Sequence, residues 1–306
     1  MSERVCAVIV TYNRKDLLRE CLNAVLGQTR PPDHVLVVDN ASTDGTSEML
    51  KEEFPQVEVL RLPENLGSAG GFHEGMKRAY EIGFDWSWLL DDDTLPEPFT
   101  LSLLVEGARR YDLAVVGPLP VSYDDPEKLA FPLLCRGITL QRLHLVDKGR
   151  PCFGTALFFL GVLLNRRVVT QVGLPDPRLF IRGEEVEYHR RVLRSGFRIA
   201  VLPWAIVKHP DLSKELFFLL GNRFAVVFSG NSVKDFYNFR NRMYIFRKHN
   251  RLWPFWVILE SVRYVLFFLL VRKLDWVGLA FWARAAYLGL RGDLVSYDEF
   301  IKRGER

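Results

Sequence analysis

The strongest limit on how this chain can fold is a repeating pattern in its first hundred residues: apolar runs that close on polar clusters, separated by stretches of helical periodicity. Residues 5–10 (VCAVIV) are a continuous, largely β-branched run of the kind buried on both faces of a sheet. Residues 34–38 (HVLVV) and 57–62 (VEVLRL) follow it, and residues 84–90 (FDWSWLL) add a fourth run of aromatic and aliphatic side chains. Between the first two, Leu17, Leu18, Cys21, Leu22, Val25 and Leu26 share one side of a helix over 15–27, ended by Pro31 and Pro32. A second helix runs from a glycine-rich turn at 65–71 through Ala79. Strand and helix alternate every 25 to 30 residues, which predicts an α/β fold with a mostly parallel, helix-covered sheet.

Open parallel sheets bind ligands outside the carboxyl ends of their strands. The polar clusters fall there: Thr11, Tyr12, Asn13 and Arg14; Asp39 and Asn40; Asn65 with its glycines; and Asp91, Asp92 and Asp93. Each alone also reads as a solvated loop, and the aspartates as a helix N-cap; four at strand ends point to one site. Three adjacent carboxylates repel one another. In an extended chain Asp91 and Asp93 share a face about 6.5 to 7 Å apart, a gap that one hard divalent cation bridges once the backbone turns slightly. Mg²⁺ or Mn²⁺ with a nucleoside diphosphate would remove the repulsion. The glycine turn matches neither GxGxxG nor GxxxxGK[ST], which argues against the dinucleotide and P-loop classes.

Residues 113–164 read as mixed strand and loop, with a small-residue patch at 152–156 that either admits a ligand closely or packs tightly. In 178–191 (RLFIRGEEVEYHRR) apolar residues lead to Gly183, and Glu184 and Glu185 open a helix whose dipole favours acids there. Residues 199–207 form a strand ending at Lys208, His209 and Pro210.

With 306 residues, 48% of them hydrophobic, the chain can bury one large core or two modest ones. Residues 1–230 hold 27 Lys and Arg against 30 Asp and Glu, whereas residues 231–306 hold 14 against 7. This predicts an acidic catalytic body over 1–230 and a basic, aromatic helical tail over 231–306, with a membrane surface or an anionic polymer as the tail's partner. Nucleic acid is not expected, because no nucleic-acid module is visible. Residues 253–271 are long and apolar enough to span a membrane. Pro254 stands at their start, however, and Glu260, Ser261 and Arg263 interrupt them, at about 2.5 to 3.5 kcal/mol for each central charge. A helix lying on the surface, or one joining copies of the chain, fits better. Arg272, Lys273, Trp276, Phe281, Trp282, Arg284 and Tyr287 continue the mix found at a headgroup layer; a buried core helix with snorkelling arginines is the alternative. Cys6, Cys21, Cys135 and Cys152 have neither metal-ligand spacing nor the density of a disulfide scaffold, so reduced thiols in the cytoplasm are expected. The apolar stretch in the opening MSERVCAVIVTYN is too short for a signal peptide.

VIVTYNR, VVDNASTDGT, ENLGSAGG and the LLDDD strand end, in this order and spacing, resemble the nucleotide-sugar-binding half of the family 2 glycosyltransferases. More narrowly, NLGSAGGF, DWSWLLDDD, LAFPL, RLFIRGEEVEYHRR and YNFRNR resemble the actinobacterial galactofuranosyltransferases that start the cell-wall galactan on a lipid-linked acceptor. The resemblance implies a GT-A fold, Rossmann-like with flanking helices, and a peripheral enzyme at the cytoplasmic face of the cell membrane. It implies inverting transfer from UDP-galactofuranose to a polyprenyl-diphosphate-linked glycan.

It also implies roles. Thr11, Asn13 and Arg14 would border the uridine and diphosphate, Asp39 would accept the uracil N3–H, and Asn65 and Asp92 would join the nucleotide-sugar site. Asp91 and Asp93 would bind the metal and ribose, with His209 as a third ligand of Mn²⁺ or Mg²⁺. Glu185 would be the base that takes the acceptor hydroxyl's proton, with Glu184 the other candidate. The chain departs from the common pattern in using Glu where Asp is usual, and Gly183 where tryptophan often stands. A dTDP-rhamnose transferase shares much of the nucleotide half. An idle GT-A subunit serving as a membrane-bound assembly module is opposed by the intact acids at Asp91, Asp93 and Glu185.

Overall fold

A computed structural model describes residues 3–211, 215–219 and 224–304. The first hundred residues alternate as expected: β1 (Val5–Thr11), α1 (Lys15–Leu26), β2 (His34–Asp39), α2 (Thr46–Glu53), β3 (Glu58–Arg61), α3 (Gly67–Ile82) and β4 (Trp86–Asp91). The four strands pair in parallel in the order β3-β2-β1-β4. Every residue of β1 is buried, with Val5, Ala7 and Ile9 in one apolar cluster and Cys6, Val8 and Val10 in another. A continuous apolar run thus serves two helix layers through the two-residue period of a strand. The glycines of α3 let it settle close to the sheet: a Cβ on Gly71 would come within 2.4 Å of Val10 Cγ1, and one on Gly75 within 2.4 Å of Val8 Cγ1.

The chain continues through β5 (Leu95–Pro96), α4 (Thr100–Tyr111), β6 (Val115–Ser122), β7 (Lys128–Cys135), β8 (Ile138–Arg142), β9 (Cys152–Phe153), β10 (Leu160–Asn165), α5 (Arg166–Val172), α6 (Glu184–Arg194) and β11 (Ile199–His209). β10 enters antiparallel between β4 and β6, and β11 runs parallel to β6. The short β5, two residues beyond the aspartates, pairs antiparallel with the end of β11, Leu95 opposite Lys208. That pairing carries His209 to the mouth of β4.

Cys135 and Cys152 form a disulfide, with Cα atoms 5.3 Å apart, which corrects the expectation of four reduced thiols. Spacing hid it: the partners are 17 residues apart and meet because β9 pairs with β11 while β7 folds back on β8. Cys6 and Cys21 are free and buried.

Packing separates two compact units, Met1–Pro177 with Tyr188–Asp211, and Arg178–Glu187 with Leu212–Arg306. The boundary expected at 230 followed charge. Packing instead follows an aromatic cluster that takes in Phe180, Ile181, Phe217 and Leu219 as well as the tail. The second unit comprises a ribbon of β12 (Leu216–Leu219) and β13 (Phe224–Val227), then α7 (Ser232–His249), α8 (Trp253–Leu266) with a π-helical extension Phe267–Val271, α9 (Trp276–Arg291) and α10 (Tyr297–Gly304). Phe236, Phe239, Tyr264, Phe267, Phe268, Trp282 and Phe300 fill its core.

Trp253–Val271 is a 19-residue helix long and apolar enough, by length and composition, to cross a membrane, and 22% of its apolar window is buried. Glu260, expected to interrupt such a span, is buried and paired with Arg242 and Arg263. Phe255, Ile258 and Val262 are exposed.

Closing a loop of this length by a disulfide contributes about 3 kcal/mol. Cys135→Ser should therefore lower the urea midpoint, and alkylation of unreduced, unfolded protein should find two reactive thiols, from Cys6 and Cys21.

Candidate active site

Register alone gathers the first polar groups, since β1 sets Thr11 beside Asp39 and Val10 beside Asp91. The Thr11 hydroxyl donates to Asp92 Oδ2 at 2.7 Å, and Arg14 Nη1 donates to Asp92 Oδ1 at 3.1 Å and to Asp93 Oδ2 at 2.8 Å. One guanidinium thus bridges two of the three carboxylates and offsets part of their repulsion. The backbone turns directly after the strand, Thr94 N–H donating to Asp91 C=O at 3.1 Å.

The three aspartates titrate apart. Burial, reinforced by Asp93, pushes Asp91 well above the usual carboxylate range. Burial also raises Asp92, to about 6, against the pull of Arg14. Burial acts in the same sense on Asp93, but His209 and Arg14 outweigh it and hold that carboxyl low. For His209, burial works against the imidazolium and Asp93 prevails, raising it.

His209 stands apart from an ordinary strand-end histidine by its geometry. Its Nδ1 lies 2.7 Å from the Pro210 carbonyl, which only accepts, so Nδ1 carries the hydrogen. Nε2 lies 2.9 Å from Asp93 Oδ1. Protonated, the ring donates to that carboxylate, which is why Asp93 is held low and His209 raised; neutral, it turns a lone pair toward the same oxygen, and a cation would take the proton's place. Asp91, Asp93 and His209 each offer a ligand atom within 4.8 Å of the others, and two carboxylates with one imidazole suit Mn²⁺ or Mg²⁺. The residues fit a divalent cation. Phe131 packs a ring 5.1 Å from that of His209, and the Tyr123 hydroxyl donates to the Asp93 carbonyl at 3.2 Å.

Asp39 is fully buried and engaged from three sides. Oδ1 accepts from Ser42 N–H at 2.8 Å, and Oδ2 accepts from Arg61 Nη1 at 2.7 Å and Ser47 Oγ at 3.2 Å. Ser42, Thr43, Gly45, Ser47, Glu48 and Arg61 line a depression of about 440 Å³. Asn13, at φ 52°, accepts from Thr43 N–H at 2.7 Å, tying the β1 loop to the β2 loop. Asn65 Oδ1 accepts from Gly67 N–H at 2.9 Å.

Glu184 and Glu185 open α6 and pack with the second unit. Glu184 is buried, and Glu185 Oε2 accepts the Gly183 N–H at 2.8 Å. Glu187, fully buried, pairs with Lys248 at 2.9 Å and His249 at 3.1 Å.

Residues 6–163 match the model of glycosyl transferase family 2. The chain belongs to that family. It is 39% identical over 300 residues to galactofuranosyltransferase GlfT1 of Mycolicibacterium smegmatis, covering 95% of this chain and 97% of the relative. GlfT1 of Mycobacterium tuberculosis is 37% identical with the same coverage. Among solved structures, S. aureus TarS 1–349 in complex with UDP superposes with a TM-score of 0.55 at 12% identity, over 98% of this chain and 92% of that one. As a family 2 glycosyltransferase the chain is an enzyme, and its fold is the GT-A type that its motifs implied.

Sequence reasoning passed over Arg61, and placed Asn40 at a strand end without assigning it a role. The parallel register sets Arg61 beside Asp39, a placement that strand order would have suggested. Asn40 holds the glycine turn, donating to Gly67 C=O and accepting from Leu66 N–H, each at 3.3 Å; its place at a strand end was visible, its partner was not.

For Asp92, about 6 in the fold against about 3.9 unfolded, the native state holds the extra proton in that interval. Unfolding free energy therefore falls as pH rises from 4 to 6, by at most about 3 kcal/mol, and stays lowered above. In EDTA, Asp92→Asn should lose this part of the slope, so that its stability relative to wild type improves between pH 4 and 7 in urea titrations. An unchanged difference would refute the assignment.

Proposed function

We propose that this enzyme transfers galactofuranose, with inversion, from UDP-galactofuranose to a polyprenyl-diphosphate-linked glycan in cell-wall or surface polysaccharide synthesis. The observation that carries the reading is the near full-length similarity to galactofuranosyltransferases GlfT1, supported by the Asp-Asp-His cluster. In this reading Asp91, Asp93 and His209 hold Mn²⁺ or Mg²⁺, which when bound neutralises charge on a diphosphate leaving group. Arg14, bridging Asp92 and Asp93, presents its outer face to phosphate, and Thr11 and Asn13 shape the loop around the nucleotide. Asp39 has room for one more donor among about four lone-pair directions; the uracil N3–H takes it, with half-exposed Arg61 as the partner free to adjust. Asn65 contributes at the glycine turn.

Glu185 serves as the base, and Glu184 as its acidic neighbour. A carboxylate receives the acceptor hydroxyl's proton as that oxygen attacks the anomeric carbon and the bond from that carbon to the diphosphate oxygen breaks.

The deciding experiment offers UDP-galactofuranose, UDP-galactopyranose, UDP-glucose and dTDP-rhamnose with a lipid-like acceptor in Mn²⁺ or EDTA and reads products by mass. Transfer should occur with UDP-galactofuranose in Mn²⁺ and be lost in EDTA. Asp93→Ala should weaken UDP binding in Mn²⁺ and differ little from wild type in EDTA. Preference for dTDP-rhamnose would replace the donor assignment.

The tail supports a second element of the reading, a peripheral seat on the membrane. Phe255, Ile258, Val262, Trp276 and Val277 are exposed, with exposed Arg272 and Lys273 close by in sequence, while Glu260 is buried in its ion pairs. This is the make-up of a helix lying in a headgroup layer. The protein should float with anionic vesicles at low salt, and Ile258→Asp with Trp276→Asp should abolish flotation without changing the fold's melting temperature. Equal flotation of the variant would dismiss the surface.

A further inference from the structure

We infer that Asn241, on α7, is a positioning residue for Glu185, acting through the peptide that joins Arg182 to Gly183. The inference rests on the reading of Glu185 as base. The loop leading to the acid pair is held in costly backbone conformations at Phe180 (φ 63°) and Arg182 (φ 66°), followed by Gly183 at φ 102°, which glycine adopts freely. Asn241 secures it: Nδ2 lies 2.8 Å from the Leu179 carbonyl, 3.1 Å from that of Ile181 and 2.7 Å from that of Arg182. Asn241 Oδ1 in turn accepts from Arg240 Nε at 2.9 Å and Nη2 at 2.7 Å, and Arg240 Nη2 also donates to the Arg178 carbonyl at 2.8 Å. Both side chains are completely buried.

The third of those contacts reaches Glu185. Asn241 Nδ2 donates to the carbonyl of the 182–183 peptide, and the N–H of the same peptide donates to Glu185 Oε2 at 2.8 Å. A peptide unit is planar, so fixing the direction of its carbonyl fixes that of its N–H. On the other side of the acid pair, Glu187 is pinned by Lys248 and His249 of the same helix. Thus α7 grips the chain before and after Glu184 and Glu185. Gly183 closes the arrangement, because a Cβ there would lie 3.1 Å from Ile245 Cδ1 and 3.3 Å from Asn241 Cβ.

The test is a double-mutant cycle in the full chain with Asn241→Ala, Glu185→Gln and the pair together. It is read as turnover with UDP-galactofuranose, donor KM, and UDP binding in Mn²⁺ by calorimetry. Asn241→Ala should lower kcat about 100-fold, the scale of a catalytic group displaced by an ångström, with KM and UDP binding within about twofold of wild type. The double variant should be no slower than Glu185→Gln alone, since a positioning residue has nothing left to position. Multiplying losses, an Asn241→Ala kcat close to wild type, or UDP binding that falls in step with kcat would each overturn the inference. If Asn241→Ala does not fold, Gly183→Ala perturbs the same peptide from its other side and is read by the same criteria. Wild-type turnover in Glu185→Gln would remove the base assignment and this inference with it. Loss in Glu185→Gln beside unaffected Asn241→Ala would remove this inference alone.

Discussion

Like charge held at close range is the constraint around which the first unit is arranged. Asp91, Asp92 and Asp93 leave the buried strand β4 one after another, and much of the surrounding structure answers the field they create. Arg14 spans two of them, Thr11 donates to the middle one, and the β5–β11 pairing brings His209 against the third. Burial sharpens the problem, because the same low-dielectric surroundings that raise Asp91 and Asp92 also strengthen every favourable contact they make. The result is a carboxylate cluster whose match at Asp93 Oδ1 depends on the proton that His209 carries. In the function proposed above, the cation that this cluster would hold meets an anionic leaving group.

Much of this could be seen in the sequence, for reasons that differ from element to element. The parallel half was legible because β1 is buried throughout and β4 up to Asp91, and their composition reports it, and because α1 keeps one apolar side. The strand-end clusters followed from topology. His209 was reachable only through resemblance, since nothing local announces that a two-residue strand at Leu95–Pro96 will draw the end of β11 alongside. The disulfide escaped for a similar reason: two cysteines in a cysteine-poor chain signal nothing until hairpin and sheet bring them together. The extent of the second unit was less legible. Charge changes near 230, but burial does not respect charge, and aromatic packing gathers Arg178–Glu187 into the second unit. Glu260, read as an interruption in an apolar helix, is compensated inside the unit by Arg242 and Arg263.

Packing groups the chain into units whose membership cuts across the change in charge near residue 230. The acid pair that carries the proposed proton transfer belongs, by packing, with the helices of the tail. Those helices combine an inner polar grip, in Arg240 and Asn241, with an outer apolar surface around Ile258 and Trp276. Residues that read in sequence as a basic, aromatic stretch are thus sorted by the fold into inward-facing hydrogen-bond donors and exposed apolar groups, a distinction that composition cannot make.

The near-contact between α3 and the sheet has a bearing on how such a sequence can change. Because Val8 and Val10 occupy the space that side chains at 75 and 71 would need, helix and strand are matched like a key and its ward. Enlarging one position is tolerable only if the facing valine shrinks. Exchange of this segment between related enzymes would therefore have to move strand and helix together, and a lone substitution drawn from a relative could displace Asn40, whose amide lies against Gly71, and with it the turn that Asn40 secures.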